Sequence, residues 1–96
     1  MSGRLEDMAL FARIVERGSL SGAARDLGLS KSLVSRRLGG LEDRLGARLV
    51  NRTTRRLALT EIGREFHERA RRVLQDAAEA EACAREASLE PRGRLC

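Results

Sequence analysis

Ninety-six residues support one hydrophobic core and not two, because a chain this short buries only a modest share of its surface. The composition is 42% hydrophobic and 34% charged, with Phe11 and Phe66 as the only aromatics, which suits helices of Leu, Ala and Val better than a sandwich of bulky strand residues. The net charge of +5 favours polyanionic partners, while no apolar run approaches the roughly 20 residues that cross a bilayer and the start lacks the apolar segment of a secretory signal; the expectation is a soluble, cytoplasmic protein with no membrane partner.

Leu5, Met8, Phe11, Ala12 and Val15 recur at three- and four-residue steps, predicting a first helix from about Leu5 to Glu16 that Gly18 stops. Ser19 is placed to cap a second helix of about two turns, with Leu20, Ala23, Ala24 and Leu27 as its apolar positions and Gly28 as its terminator. Ser30 is placed to cap a third helix that turns Val34, Leu38, Leu41 and Leu45 inward and ends at Gly46. Two helices joined by so short a turn must cross steeply. Leu49 to Val50 and Leu57 to Leu59, on either side of a polar turn, predict a two-stranded hairpin, or wing, that is marginal unless packed on the helices.

Thr60 is a plausible cap for a last helix, with Glu61 favourably placed in its first turn. Along it Ile62, Phe66, Ala70, Val73, Ala77, Ala80, Ala84 and Ala87 form a stripe whose steps from Phe66 onward alternate four and three, the seam of a heptad repeat. Such a seam asks for a partner helix, and residues Phe66, Ala70, Val73, Ala77, Ala80, Ala84 and Ala87 are the expected homodimer contacts. The competing expectation is that the stripe packs inside its own subunit. Pro91 and Gly93 end the helix. The expected organisation is one compact domain over 1–60 followed by a dimerisation helix over 61–90.

The charge is unevenly distributed. Residues 30 to 60 hold Lys31, Arg36, Arg37, Arg44, Arg48, Arg52, Arg55 and Arg56 against Glu42 and Asp43, a net +6, whereas the stretches before and after are close to neutral. Localised cations of this kind suit phosphate binding, although a solvated Arg-rich face would look the same by charge alone. Ala24, Gly28 and Val34 have the spacing of a helix-turn-helix: a small residue where helices touch, a glycine in the turn, and a branched anchor on the second helix. The outer face of that helix presents Lys31, Ser32, Ser35, Arg36 and Arg37, donors of the kind a major groove accepts. Arg52, Thr53, Arg55 and Arg56 place further cations in the wing, within reach of phosphates or a narrow minor groove. Arg52 has a second role open to it, bonding the hairpin back onto the helices. Ser19, Ser21 and Thr60 stand at helix starts where hydroxyls can hold phosphate, and capping alone would account for Ser19 and Thr60.

The run Leu5 to Val15 and then Glu16, Gly18, Ser19, Leu20, Ala23, Ala24, Leu27, Ser30, Ser32, Val34, Ser35, Arg36, Leu41, Glu42, Leu45, Gly46, Leu49, Arg52, Leu59, Thr60 and Gly63 resembles the amino-terminal domain of LysR-type transcriptional regulators. The resemblance covers essentially the whole chain. It implies a mainly α winged helix-turn-helix DNA-binding domain over 1–60, three helices and a small two-stranded wing, with a long C-terminal dimerisation helix over 61–90 and the start of a hinge over 91–96. It also implies that Lys31, Ser32, Ser35 and Arg36 contact bases or phosphates, and that Arg55 reaches toward the minor groove. Dimers through the linker helix, an inverted-repeat duplex DNA site, and a small-molecule inducer acting through an effector domain not present in these residues are further implications, with tetramers once effector domains are attached. Leu20 stands where an aromatic is common, and Lys31 and Leu33 where Pro and Ala are frequent, so base preference at the helix start does not carry over.

Other functions fit less well. An enzyme needs a nucleophile, base or metal cluster, and His67, the only histidine, has no partners at triad or ligand spacing. No catalytic residue, metal or cofactor is expected. Cys83 and Cys96 lack a second pair to complete a zinc site and are read as reduced thiols, with an intermolecular disulfide through Cys96 open in oxidising buffer. A protein-interaction module using the alanine seam would leave the central +6 without purpose. A stand-alone winged-helix sensor of another family would need a ligand pocket between its dimer helices.

Overall fold

The structure, a computed structural model, describes residues 3–52 and 57–89. Four helices and one hairpin follow in the order α1 (Gly3–Arg17), α2 (Leu20–Leu27), α3 (Lys31–Leu45), β1 (Val50–Arg52), β2 (Leu57–Leu59) and α4 (Glu61–Leu89). Thr53, Arg55, Arg56, Cys96 and the stretch 91–96 lie outside the described residues.

Local chemistry sets the helix ends. The Ser19 hydroxyl accepts the Gly22 N–H at 3.0 Å, the Ser30 hydroxyl the Leu33 N–H at 3.1 Å, and the Thr60 hydroxyl the Gly63 N–H at 2.9 Å, so each satisfies a donor that the first turn leaves open. Gly28 ends α2 in the left-handed region at φ 69°, where a side chain would be strained, and the Leu29 N–H then closes back on the Ala24 carbonyl at 2.9 Å. The chain therefore leaves α2 and enters α3 within three residues.

The core gathers Leu10, Phe11 and Ile14 of α1, Ala23 and Ala24 of α2, Val34, Leu38 and Leu41 of α3, and Leu49 and Val50 at the start of the hairpin. This departs from the helical pattern at several positions. The arc that α1 buries is rotated toward Leu10 and Ile14, and Leu5 is exposed, because α1 is packed by α2, α3 and α4 rather than by one neighbour. Leu27 and Leu45 also stay exposed: each is the last residue of its helix, and the glycine after it turns the chain away before another element covers it.

The hairpin pairs Val50 with Leu59, Asn51 with Ala58 and Arg52 with Leu57, antiparallel. Leu49, expected in the strand, lies just before it and is held differently. Its N–H and that of Val50 both donate to one carboxylate oxygen of Glu42, at 2.8 and 3.2 Å. Its carbonyl accepts the Thr60 N–H at 2.9 Å, and the Thr60 hydroxyl beside it donates to the Arg48 carbonyl at 2.7 Å. Gly63 lies against that carbonyl so closely that a Cβ there would stand 2.0 Å from the oxygen.

α4 packs its first turns on α1. Gly63 and Ala70 are buried, and the Phe66 ring lies 5.5 Å from that of Phe11 at 56°. His67 is half-buried with its ring edge-on to Phe11 at 6.2 Å. At 1.5 Å per residue a helix of 29 residues spans about 43 Å, which accounts for the 56 Å long axis of the molecule and carries the end of α4 past the core. No helix among the described residues is long and apolar enough to cross a membrane.

Gly63→Ala forces the Leu49 peptide to move and is expected to cost about 2–3 kcal/mol, seen as a fall in Tm of about 10–20 °C by circular dichroism. A variant melting at the parental temperature would show that this contact yields freely.

Candidate nucleic-acid interface

The side of α3 turned away from Val34, Leu38 and Leu41 is polar for its first two turns. Lys31, Ser32, Arg36 and Arg37 are exposed and Ser35 is half-buried. Lys31, Ser32, Ser35 and Arg36 line one shallow, open depression together with Leu20 of α2. Leu20 therefore has two faces: it packs against the core and also floors the depression. Sequence reasoning read it only as a core position, since a leucine on a helix carries no signal that distinguishes the two.

The hairpin reaches this surface through Arg52, whose Nη1 donates to the Ser35 hydroxyl at 3.1 Å. The second role open to Arg52 is thus realised in the structure, and its guanidinium remains exposed while it bonds back to α3. Ser19 is half-buried and its hydroxyl is engaged by Gly22; Ser21, on the first turn of α2, is exposed.

The cationic surface is narrower than the charge count of residues 30 to 60. Arg44 is committed to Asp7 of α1 at 2.7 Å, an ion pair that ties the far end of α3 to the body of the domain. At the other end of α1, Arg17 pairs with Asp26 of α2 at 3.3 Å. Both are partly exposed pairs of the kind worth about 1 kcal/mol or less, so they orient helices more than they hold them. Among the described residues Lys31, Ser32, Arg36 and Arg37 make no side-chain hydrogen bond or ion pair, which leaves their donors available.

The stripe on α4 is divided. Phe66 meets Phe11 of α1 within the subunit and Ala70 is buried, with Leu74 and Ala77 half-buried after them. Ile62 and Val73 are 54% and 40% exposed, and farther along the helix Ala80 and Ala84 are exposed and Ala87 is half-buried.

A short helix crossing a longer one through a glycine turn, with a two-stranded hairpin alongside, is the architecture of winged helix-turn-helix DNA-binding domains. Residues 5–64 match the family described as bacterial regulatory helix-turn-helix protein, lysR family, and the chain belongs to it. Over 95 residues, 99% of this chain and 28% of the relative, it is 46% identical to an HTH-type transcriptional regulator of Xanthomonas campestris pv. campestris (strain 8004). The chain thus spans little more than a quarter of that relative's length. Among solved structures it is similar to the BenM DBD in complex with catB site 1 DNA, with a TM-score of 0.84 and 26% identity over 88% of this chain and 90% of that one. It is likewise similar to the CbnR DBD in complex with DNA, with a TM-score of 0.80 and 32% identity over 88% of this chain and 97% of that one.

Because Lys31, Ser32 and Arg36 are exposed and make no side-chain hydrogen bond or ion pair among the described residues, Lys31→Ala, Ser32→Ala and Arg36→Ala are each expected to change folding stability by no more than about 0.5 kcal/mol. Thermal melts would check this, and a fall in Tm above about 5 °C would make the face part of the fold instead.

Proposed function

We propose that this chain binds duplex DNA sequence-specifically as a homodimer, as the DNA-binding part of a LysR-type transcription regulator acting in the cytoplasm. The observation that carries the reading is the convergence of Lys31, Ser32, Ser35 and Arg36 on one open depression at the start of α3, with Arg52 reaching it from the wing. The first turns of α3 enter the major groove. Arg36, long and unpaired, reads base edges, and Ser32 and Ser35 contact bases or adjacent phosphates. Lys31, Arg37 and Ser21 neutralise or hydrogen-bond the backbone. Ser19 and Arg52 act chiefly by position, the one capping α2 and the other holding Ser35, while Thr53, Arg55 and Arg56 extend the wing toward phosphate or the minor groove.

The second subunit covers the edge of α4 that its own domain leaves open, with Val73, Ala80, Ala84 and Ala87 at the contact, Ala77 at its margin, and Phe66 and Ala70 supporting it from the core side. Charge supports pairing with a second copy. Residues 64–72 hold Arg64, Arg69, Arg71 and Arg72 against Glu65 and Glu68, whereas residues 76–86 hold Asp76, Glu79, Glu81 and Glu86 against Arg85. Helices laid antiparallel set the basic half of each against the acidic half of the other. The two recognition helices then face successive major grooves, and the site is an inverted repeat with half-sites about one helical turn apart. Control by a small-molecule inducer belongs to an effector domain outside these residues.

Selection from a random duplex library is expected to return a two-fold symmetric site, and enrichment of a single unpaired half-site would defeat the dimeric reading. On the selected duplex, Arg36→Ala is expected to lose about 1–3 kcal/mol and relax preference at one base pair. Arg37→Ala is expected to weaken all duplexes alike and reduce the salt dependence by about one phosphate contact. If both variants lose affinity uniformly, Arg36 is not a base reader. Val73→Glu and Ala84→Glu place a carboxylate in the open edge of α4 and are expected to give monomers by sedimentation equilibrium; an unchanged mass would reject that edge as the dimer contact.

A further inference from the structure

Of the seven glycines between residues 18 and 63, five have a reason inside the chain. Gly18, Gly28 and Gly46 have φ near +70°, a Cβ at Gly22 would stand 3.0 Å from Arg17 and Ser19, and Gly63 is pressed on the Leu49 carbonyl. Gly39 and Gly40 have none. They lie side by side in the middle of α3 with helical φ, and among the described residues a Cβ built on either meets nothing within 4 Å. Glycine is among the poorest residues for a helix interior, and two in succession weaken the helix on which the candidate interface depends. Packing within the chain does not ask for them.

Their place on α3 does. Ser32, Arg36 and Asp43 run along the middle of the face turned away from Val34, Leu38 and Leu41, and Gly39 and Gly40 flank that line between Arg36 and Asp43. Gly40 is exposed and Gly39 half-buried. The helix surface there is bare backbone, with two guanidinium groups on its N-terminal side, Arg36 and Arg37, and the exposed Asp43 carboxylate on the other.

We propose that Gly39 and Gly40 form a side-chain-free saddle over which one sugar-phosphate strand of the DNA passes, so that base reading ends at Arg36. This rests on the DNA-binding reading above and adds a positioning element to it. Gly39 and Gly40 lie about 10–12 Å along the helix from Ser32, farther than the roughly 8.5 Å depth of the major groove. When α3 enters by its N-terminal end, the saddle therefore stands at the rim of the groove, where phosphates run. Arg37 draws the strand toward the saddle, and Asp43 repels it from the next turn. The strand is confined between them, which fixes how deeply α3 inserts.

The test separates stability from binding. Gly39→Ala and Gly40→Ala fill empty space in the free protein and are expected to raise Tm by about 3–6 °C each. Combined, they are expected to weaken binding of the duplex selected with the unchanged chain by about tenfold, and Gly40→Leu to weaken it further, because each added side chain lifts the strand off the helix. Stabler variants that bind within twofold of the unchanged chain would overturn the saddle. A lower Tm in the alanine variants would overturn it too, by revealing an internal role for the glycines. Failure of the unchanged chain to enrich any duplex would instead remove the DNA-binding reading on which the saddle rests.

Discussion

The peptide of Leu49 is held from three directions. Glu42, near the end of α3, accepts its N–H and that of Val50; Thr60, at the head of α4, donates to its carbonyl; and Gly63, one turn into α4, lies directly against the same oxygen. The Leu49 side chain is fully buried among residues of the core. A part-buried peptide needs partners for both its polar groups, and a carboxylate accepting two backbone N–H groups is among the stronger ways to supply them. α3, the hairpin and α4 are thus fastened to one another at a single residue. Strands of three residues are marginal alone, so the wing owes its position to this fastening, and the direction in which α4 leaves the domain is set by it as well.

Both candidate surfaces follow from that geometry. With the hairpin anchored beside α3, Arg52 lies close enough to bond Ser35, and the wing shares a surface with the recognition helix. With α4 anchored at Thr60 and Gly63, its first turns meet Phe11 and bury Ala70, so the apolar stripe is used on one side before any partner arrives. Val73, Ala80 and Ala84 are left exposed. The basic surface is shaped in the same way: the Arg44–Asp7 pair withdraws one cation to brace the far end of α3, and the unpaired donors gather at its start.

Much of the fold was legible in the chain. Ser19, Ser30 and Thr60 as caps and Gly28 and Gly46 as terminators were readable because each acts on backbone groups only a few residues away. The polar face of α3 was readable for a related reason, since Val34, Leu38 and Leu41 on one side of a helix leave Ser32 and Arg36 on the other. The arc of α1 was not. Periodicity marks an apolar stripe, but the rotation toward Leu10 and Ile14 depends on three packing partners at once. Leu27 and Leu45 failed as core positions because a pattern extends to the end of a helix and the cover over it does not.

The sequence by itself determined where α2, α3 and α4 begin and where α2 and α3 end, which helix carries the donors, and that α4 bears a heptad stripe, because all of these rest on interactions within about one turn or on a regular repeat. Tertiary structure alone decided that Glu42 clasps Leu49, that Arg52 bonds Ser35 across 17 residues and Arg44 meets Asp7 across 37, and which part of the stripe is already occupied. Those outcomes depend on the distances between elements after packing. The chain order of the residues does not contain them.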